Sequence, residues 1–153
     1  MNHLSQIVDF LITQFQANNL VNTITFVPTR SMDNDKQNIY PLVNIDYLQS
    51  DEVGEDTSYI VARFQLTCVM QRDIRAVKLD SKLRLDTNFI DNLNETHAIF
   101  LRFLNVFRSN NLANNIDLYS QTSFTKLEDF NKNGLDGHQI TVEISIPNNG
   151  SGC

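Results

Sequence analysis

The side chains able to ligate a metal or act as nucleophiles are few and scattered. His3, His97 and His138 are widely separated, and neither Cys68 nor Cys153 belongs to a Cys-x-x-Cys pair. Metal sites draw on clustered ligands, so neither a metal nor a cofactor is expected. His97 falls on an apolar stripe at helical spacing and reads as a core histidine. Cys68 alternates with Phe64, Leu66 and Met70. That apolar setting argues against a Cys68–His97 nucleophile pair, which needs a polarised and partly exposed thiol. Carboxylates pair at Asp51-Glu52 and Glu55-Asp56, without apolar walls to separate their pKa values. Asp33-Asn34-Asp35 lacks the Gly and the terminal Glu of a calcium loop. Gly134 and Gly137 precede a strand pattern, and no Gly-Lys-Ser/Thr occurs, so a phosphate-binding loop is not expected. The chain reads as a protein that is not an enzyme.

The elements that would position these residues follow from apolar periodicity. Residues 39–72 organise the chain as two long strands joined by an acidic loop. In the second strand Ile60, Ala62, Phe64, Leu66, Cys68 and Met70 share one face, the period of two of a strand lying on a core. In the first, over 41–48, Val43, Ile45 and Tyr47 share a face, and Pro41 sits at the start, where a missing donor is tolerated. Asp46 and Arg63 are expected to face each other across the pair. The segment 49–57 between them is too long for a two-residue turn and reads as a protruding acidic loop.

Ahead of this pair, Leu4, Ile7, Val8, Leu11 and Phe15 give an amphipathic helix over 4–17, ended by Asn18-Asn19. Phe10 and Ile12 lie off its stripe and either widen the buried face or meet a second surface. A short strand over 22–27 stops at Pro28, and a polar loop covers 29–38. Residues 74–85 fit neither period and read as a basic connector. A second helix spans 88–107, with Asp91 in its first turn and Arg108 near its end to complement the dipole. Its expected stripe is Ile90, Leu93, His97, Phe100, Leu101, Leu104 and Phe107. A weakly alternating strand over 115–126 and a clean one over 139–146 form a second antiparallel pair. The loop 128–137 between them carries the turn signals Asn133-Gly134 and Asp136-Gly137.

The expected fold is α+β: an antiparallel sheet with long hairpins packed against two helices on one face. Residues 1–147 form a single domain and 148–153 a flexible tail. The 153 residues suffice for a core without disulfides. The net charge of -6 argues against a nucleic-acid grip, which needs clustered Lys and Arg. Cys68 and Cys153 are not expected to pair, which suits a reducing compartment. No basic, apolar leader opens the sequence, and no apolar run approaches the roughly 18 residues of a membrane span.

Three stretches carry a resemblance. Tyr40-Pro41-Leu42-Val43-Asn44-Ile45 opens the sheet, an aromatic-rich helix follows, and Gly134-Leu135-Asp136-Gly137-His138-Gln139-Ile140-Thr141-Val142-Glu143-Ile144 closes it after a Gly turn. In this order the chain, over 4–147, resembles tailed-phage tail-completion proteins, the tail terminators and related ring proteins of the neck. Such proteins often carry an aromatic just after the final Gly turn, where this one has His138. The resemblance implies a virion structural protein, assembled in the host bacterial cytoplasm, that completes the tail at the head-tail junction. It implies a homo-oligomeric ring, hexamer or dodecamer, between portal or adaptor and tail tube proteins. DNA would pass through the lumen without specific binding, and no membrane is involved. Subunits would meet head to tail in a closed, heterologous interface. The candidate contacts are Asp51, Glu52, Glu55 and Asp56 of the acidic loop, Arg75, Lys78, Lys82 and Arg84 of the basic connector, and Asn133 and Asp136 of the last loop. The alternative expectation is a small-ligand or peptide-binding α+β domain without catalysis, its pocket lying between the Phe-rich helix and the sheet.

Overall fold

The computed structural model of the chain describes residues 3–29, 39–55, 58–72, 88–108, 116–130 and 134–148. Its elements are α1 (His3–Gln16), β1 (Thr23–Thr25), β2 (Leu42–Val53), β3 (Tyr59–Gln71), α2 (Phe89–Arg108), β4 (Asp117–Gln121), β5 (Thr125–Phe130) and β6 (Leu135–Pro147). They form an α+β fold with one six-stranded sheet in the order β1-β2-β3-β6-β4, and β5 also pairs with β6. The basic connector and the flexible tail expected from the sequence lie outside the described residues, apart from Asn148, whose N–H donates to the Ser58 carbonyl at 2.8 Å.

Alternation along β3 sets the core. Ala62, Phe64, Leu66 and Cys68 are fully buried on one face. Val43 and Ile45 of β2 and Ile140, Val142, Ile144 and Ile146 of β6 continue that layer. Ile7, Leu11 and Phe15 of α1 and Ile99, Phe100, Phe103, Leu104 and Phe107 of α2 join the same cluster. The helices touch through their aromatic residues. Phe15 stacks on Phe103 with ring centroids 4.8 Å apart, and Phe10 meets Phe107 at 5.6 Å. Such ring pairs contribute about 1 kcal/mol beyond area burial. Phe10 and Ile12 thus widen the buried face of α1 as partly buried residues. On the opposite face of the sheet a smaller cluster of Leu42, Val69 and Leu135 gathers Val27, Tyr40, Leu127 and Phe130.

Several expectations are corrected. The sheet is mixed rather than wholly antiparallel, because β1 pairs parallel with β2. The chain between them, residues 26–41, is long enough for the crossover that a parallel pair needs. β2 does not end in an acidic loop at residue 48. A bulge near Leu48 restarts the ladder, which runs through Asp51 and Glu52 to Val53. Both faces of this stretch meet solvent, so the charges cost little there. The turn contracts around Gly54, whose φ of 91° suits glycine.

Asp46 pairs with Gln65 rather than Arg63, and Arg63 reaches Glu143 on β6 at 3.1 Å. The stripe of α2 is rotated from the expected one. Asn92, Thr96, Ile99, Phe100, Phe103, Leu104 and Phe107 are buried, while Ile90 and Leu101 are exposed. The weak strand over 115–126 is two strands, which occupy successive stretches of the same edge of β6. At the break the Thr122 hydroxyl accepts from the Thr141 N–H at 2.9 Å. β6 starts at Leu135, so Asp136 and Gly137 belong to a strand and not to a turn. The turn itself is made at Gly134, with φ 63°.

Gly137 is needed for closeness. It lies opposite Val69, and a Cβ there would stand 1.9 Å from the Cys68 carbonyl oxygen. The obstacle is backbone in the middle of a ladder and cannot rotate away. Gly137→Ala is expected to lower the unfolding free energy by about 3 kcal/mol, read as an earlier urea midpoint at unchanged slope. An unchanged midpoint would show that β3 and β6 do not approach so closely.

Candidate functional site

Two regions stand out. The first is a polar cluster inside the fold, built because the polar start of α2 lies over the polar start of β6. Asp136 is wholly buried. Its carboxylate accepts from Arg72 Nε at 3.0 Å and from Arg72 Nη2 at 2.7 Å, a bidentate pair. Asn92 Nδ2 donates to Asp136 Oδ2 at 3.4 Å and to the Gln71 carbonyl at 3.2 Å. The guanidinium of Arg72 also lies 5.2 Å over the Phe89 ring. The ends of β3 and α2 are therefore locked to the start of β6.

Two residues along β6, His138 faces Thr96, with Nδ1 2.9 Å from the hydroxyl oxygen. Thr96 has a single hydroxyl proton, and the Asn92 carbonyl lies 2.9 Å away. With the proton placed there, His138 donates from Nδ1. The His97 ring lies 5.5 Å from that of His138 and 4.8 Å from Phe124. Burial, and then the neighbouring His97, lower the His138 pKa below the ordinary imidazole value. Cys68 pairs with His138 across the β3–β6 ladder. Burial, and then the charge of Glu95, push its thiol far up, so it stays protonated. His97 and His138 face each other, but among the described residues no third His, Cys, Asp or Glu joins them to hold a metal.

The second region is the outer half of β2. Residues 48–52 are exposed, in contrast to the four buried residues at the start of the strand. Asp51 and Glu52 stand on this ladder, and Glu55 lies in the adjoining turn, where its carbonyl accepts from the Ser58 hydroxyl. Of the expected contact residues, these three share one exposed edge. Asp136 does not belong with them: it is an internal ion-pair partner rather than an exposed loop residue. Asp56, Arg75, Lys78, Lys82, Arg84 and Asn133 lie outside the described residues.

A groove of about 200 Å³ runs between α1 and α2, lined by Gln14, Phe15, Asn18, Arg102, Phe103 and Val106. It separates helix from helix rather than helix from sheet, where the ligand-binding alternative would put it. Among the described helices none is long and apolar enough to cross a membrane. No protein-family model matches the chain, and no curated protein matches it.

The sequence reading missed the internal cluster. A usable signal was there: Asn92 and Thr96 stand one helical turn apart, ahead of an apolar stripe. Asp136→Ala is expected to cost about 3 kcal/mol in urea unfolding, because Arg72 loses its buried counter-charge. For His138 the folded pKa is the lowered one, so the unfolded chain binds the proton more readily. Stability is therefore full above the unfolded value of 6.5 and declines as the pH falls below it. Comparing melting temperatures at pH 7.5 and pH 5.5, His138→Gln should flatten this part of the profile. An equal slope in both proteins would remove His138 as its source.

Proposed function

We propose that this chain is a structural protein of the tailed-phage neck, forming a ring that completes the tail and lets DNA pass through its lumen. The supporting observation is the outer half of β2. It is an extended strand with exposed Leu48, Asp51 and Glu52, held rigidly by its ladder to β3. A stiff, exposed arm on a separately packed core is suited to binding a neighbouring subunit. In this reading Asp51, Glu52 and Glu55 contribute to contacts between subunits, and Arg75, Lys78, Lys82 and Arg84 offer opposite charge. The net charge of -6 fits a channel that repels DNA rather than retaining it. Above and below, the ring would meet a portal or adaptor and the tail tube.

A small-ligand domain is the second reading, favoured by the groove between α1 and α2. The two differ in solution. A ring requires a light-scattering mass at a multiple of the 17.5 kDa chain and annular particles in negative stain. A concentration-independent monomer whose melting temperature rises with a small molecule would favour the ligand domain instead.

A further inference from the structure

The ladder registers carry an inference that rests on the ring reading and deepens it. Rows of directly opposed residues cross the sheet from β2 through β3 and β6 to β4. Asp51 pairs with Val61, Val61 with Ser145, and Ser145 with Asp117. One row further, Ser50, Ala62, Ile144 and Leu118 follow one another, and Gln49, Arg63, Glu143 and Ser120 form another such row. β1 covers β2 only from Leu42 to Asn44. Among the described residues no strand pairs with β2 beyond that point, and none pairs with the outer side of β4. Among the described residues the same rows are therefore open at both ends of the sheet.

Strand direction fits too. β2, β3, β6 and β4 alternate, each pair antiparallel. β4 of one copy would therefore meet β2 of a like-oriented neighbour in the antiparallel sense, the stronger pairing. Each open edge also has a bulge, near Leu48 in β2 and near Tyr119 in β4. Leu48 is 45% exposed and Tyr119 59%, so each edge offers one large apolar side chain in adjoining rows.

We infer that the occupant of the β2 edge is β4 of a second copy, so that the sheet continues from subunit to subunit. The contact is heterologous: one edge meets a different edge, and repetition with a rotation closes a ring. In this register Asp51 faces Asp117. Like charges directly opposite weaken strand pairing, so the acids guard both edges against indiscriminate addition. Salt screens that repulsion between Asp51 and Asp117. Asp117→Asn removes one charge of the pair and should tighten association about fivefold at low salt.

Cysteine pairs test the contact directly. Opposed residues of neighbouring strands have Cα atoms about 4.5–5.5 Å apart, within disulfide reach. In a chain carrying Cys153→Ser, the double variant Ser50→Cys with Leu118→Cys should give a ladder of covalent multimers on oxidation. Each single variant should remain monomeric on a non-reducing gel. A second pair, Asp51→Cys with Asp117→Cys, samples another row, and unchanged melting temperatures confirm folding. A ladder from the double variants alone supports the inference. Dimers from one single variant would mean a symmetric contact and overturn it. Annular particles without any ladder would also overturn it, while leaving the ring reading intact. A monomer at every salt concentration, without a ladder, would overturn both.

Discussion

A carboxylate removed from water must find a counter-charge, and this fold supplies one for Asp136 at its most constrained point. Arg72 lies just past the end of β3, Asp136 is the second residue of β6, and Asn92 belongs to the first turn of α2. The bidentate Arg72–Asp136 pair, with Asn92 bridging to the Gln71 carbonyl, brings these three elements to one place. Removing Asp136 would take from Arg72 its bidentate partner and leave the longer contact to Glu128 at 3.8 Å. Breaking such a buried pair costs more than the net gain from forming it. The pair fixes which residue of β6 stands beside β3, and a slip of one residue would turn every inward side chain to the wrong face. Gly137, the next residue, enforces the same register by steric means.

That locked end contrasts with the other end of the sheet. From Asp136 onward the inward residues of β6 pass from polar to apolar, and those of α2 pass from Asn92 and Thr96 to Ile99, Phe100 and Phe103 in step. Beyond the apolar layer β2 continues without cover, and its rows lead across β3 and β6 to the equally exposed β4. One end of the sheet spends its polar groups internally, and the other offers backbone and charge outward. A subunit that must be rigid yet join others has use for such a division. The proposed ring depends on it: the arms need a firm base, and the base is the buried cluster.

Much of this was legible in the residues. The alternation of β3 named Ala62, Phe64, Leu66 and Cys68 as core. The stripe Leu4, Ile7, Val8, Leu11 and Phe15 named the buried face of α1, where Ile7, Leu11 and Phe15 are buried, Val8 is partly buried and Leu4 is exposed. The misreadings have physical causes. In α2 the choice of stripe followed hydrophobicity, whereas the helix buries Asn92 and Thr96 because polar partners await them on β6. Ile90 and Leu101 are apolar but stand on the exposed side. Asp51 and Glu52 looked like loop residues because charge disfavours a half-buried strand. Here the strand is not half buried, and the ladder needs only its backbone. Asp136-Gly137 imitates a turn signal, but the Gly serves close approach and the Asp an internal ion pair. Pairwise contacts between distant residues, such as Arg72 with Asp136, have no periodicity to reveal them. The charge of Asp51, Glu52 and Glu55 was readable in the sequence, while their place along one exposed edge was not.

The position of β6 also governs the order in which the molecule can be made. It is the last of the six strands to leave the ribosome, yet it pairs with β3, β4 and β5 alike. Before it emerges, β4 and β5 have no strand to join, and β3 has one bare edge next to Phe64 and Leu66. Nascent chains thus hold a β2–β3 hairpin and two helices around half a core, a state with exposed apolar surface. Folding to completion waits for the final strand and relies on contacts between residues far apart in sequence, which slows it. Crowded polysomes would bring such half-sheets together, and newly made chains are the ones most exposed to mispairing at the bare β3 edge.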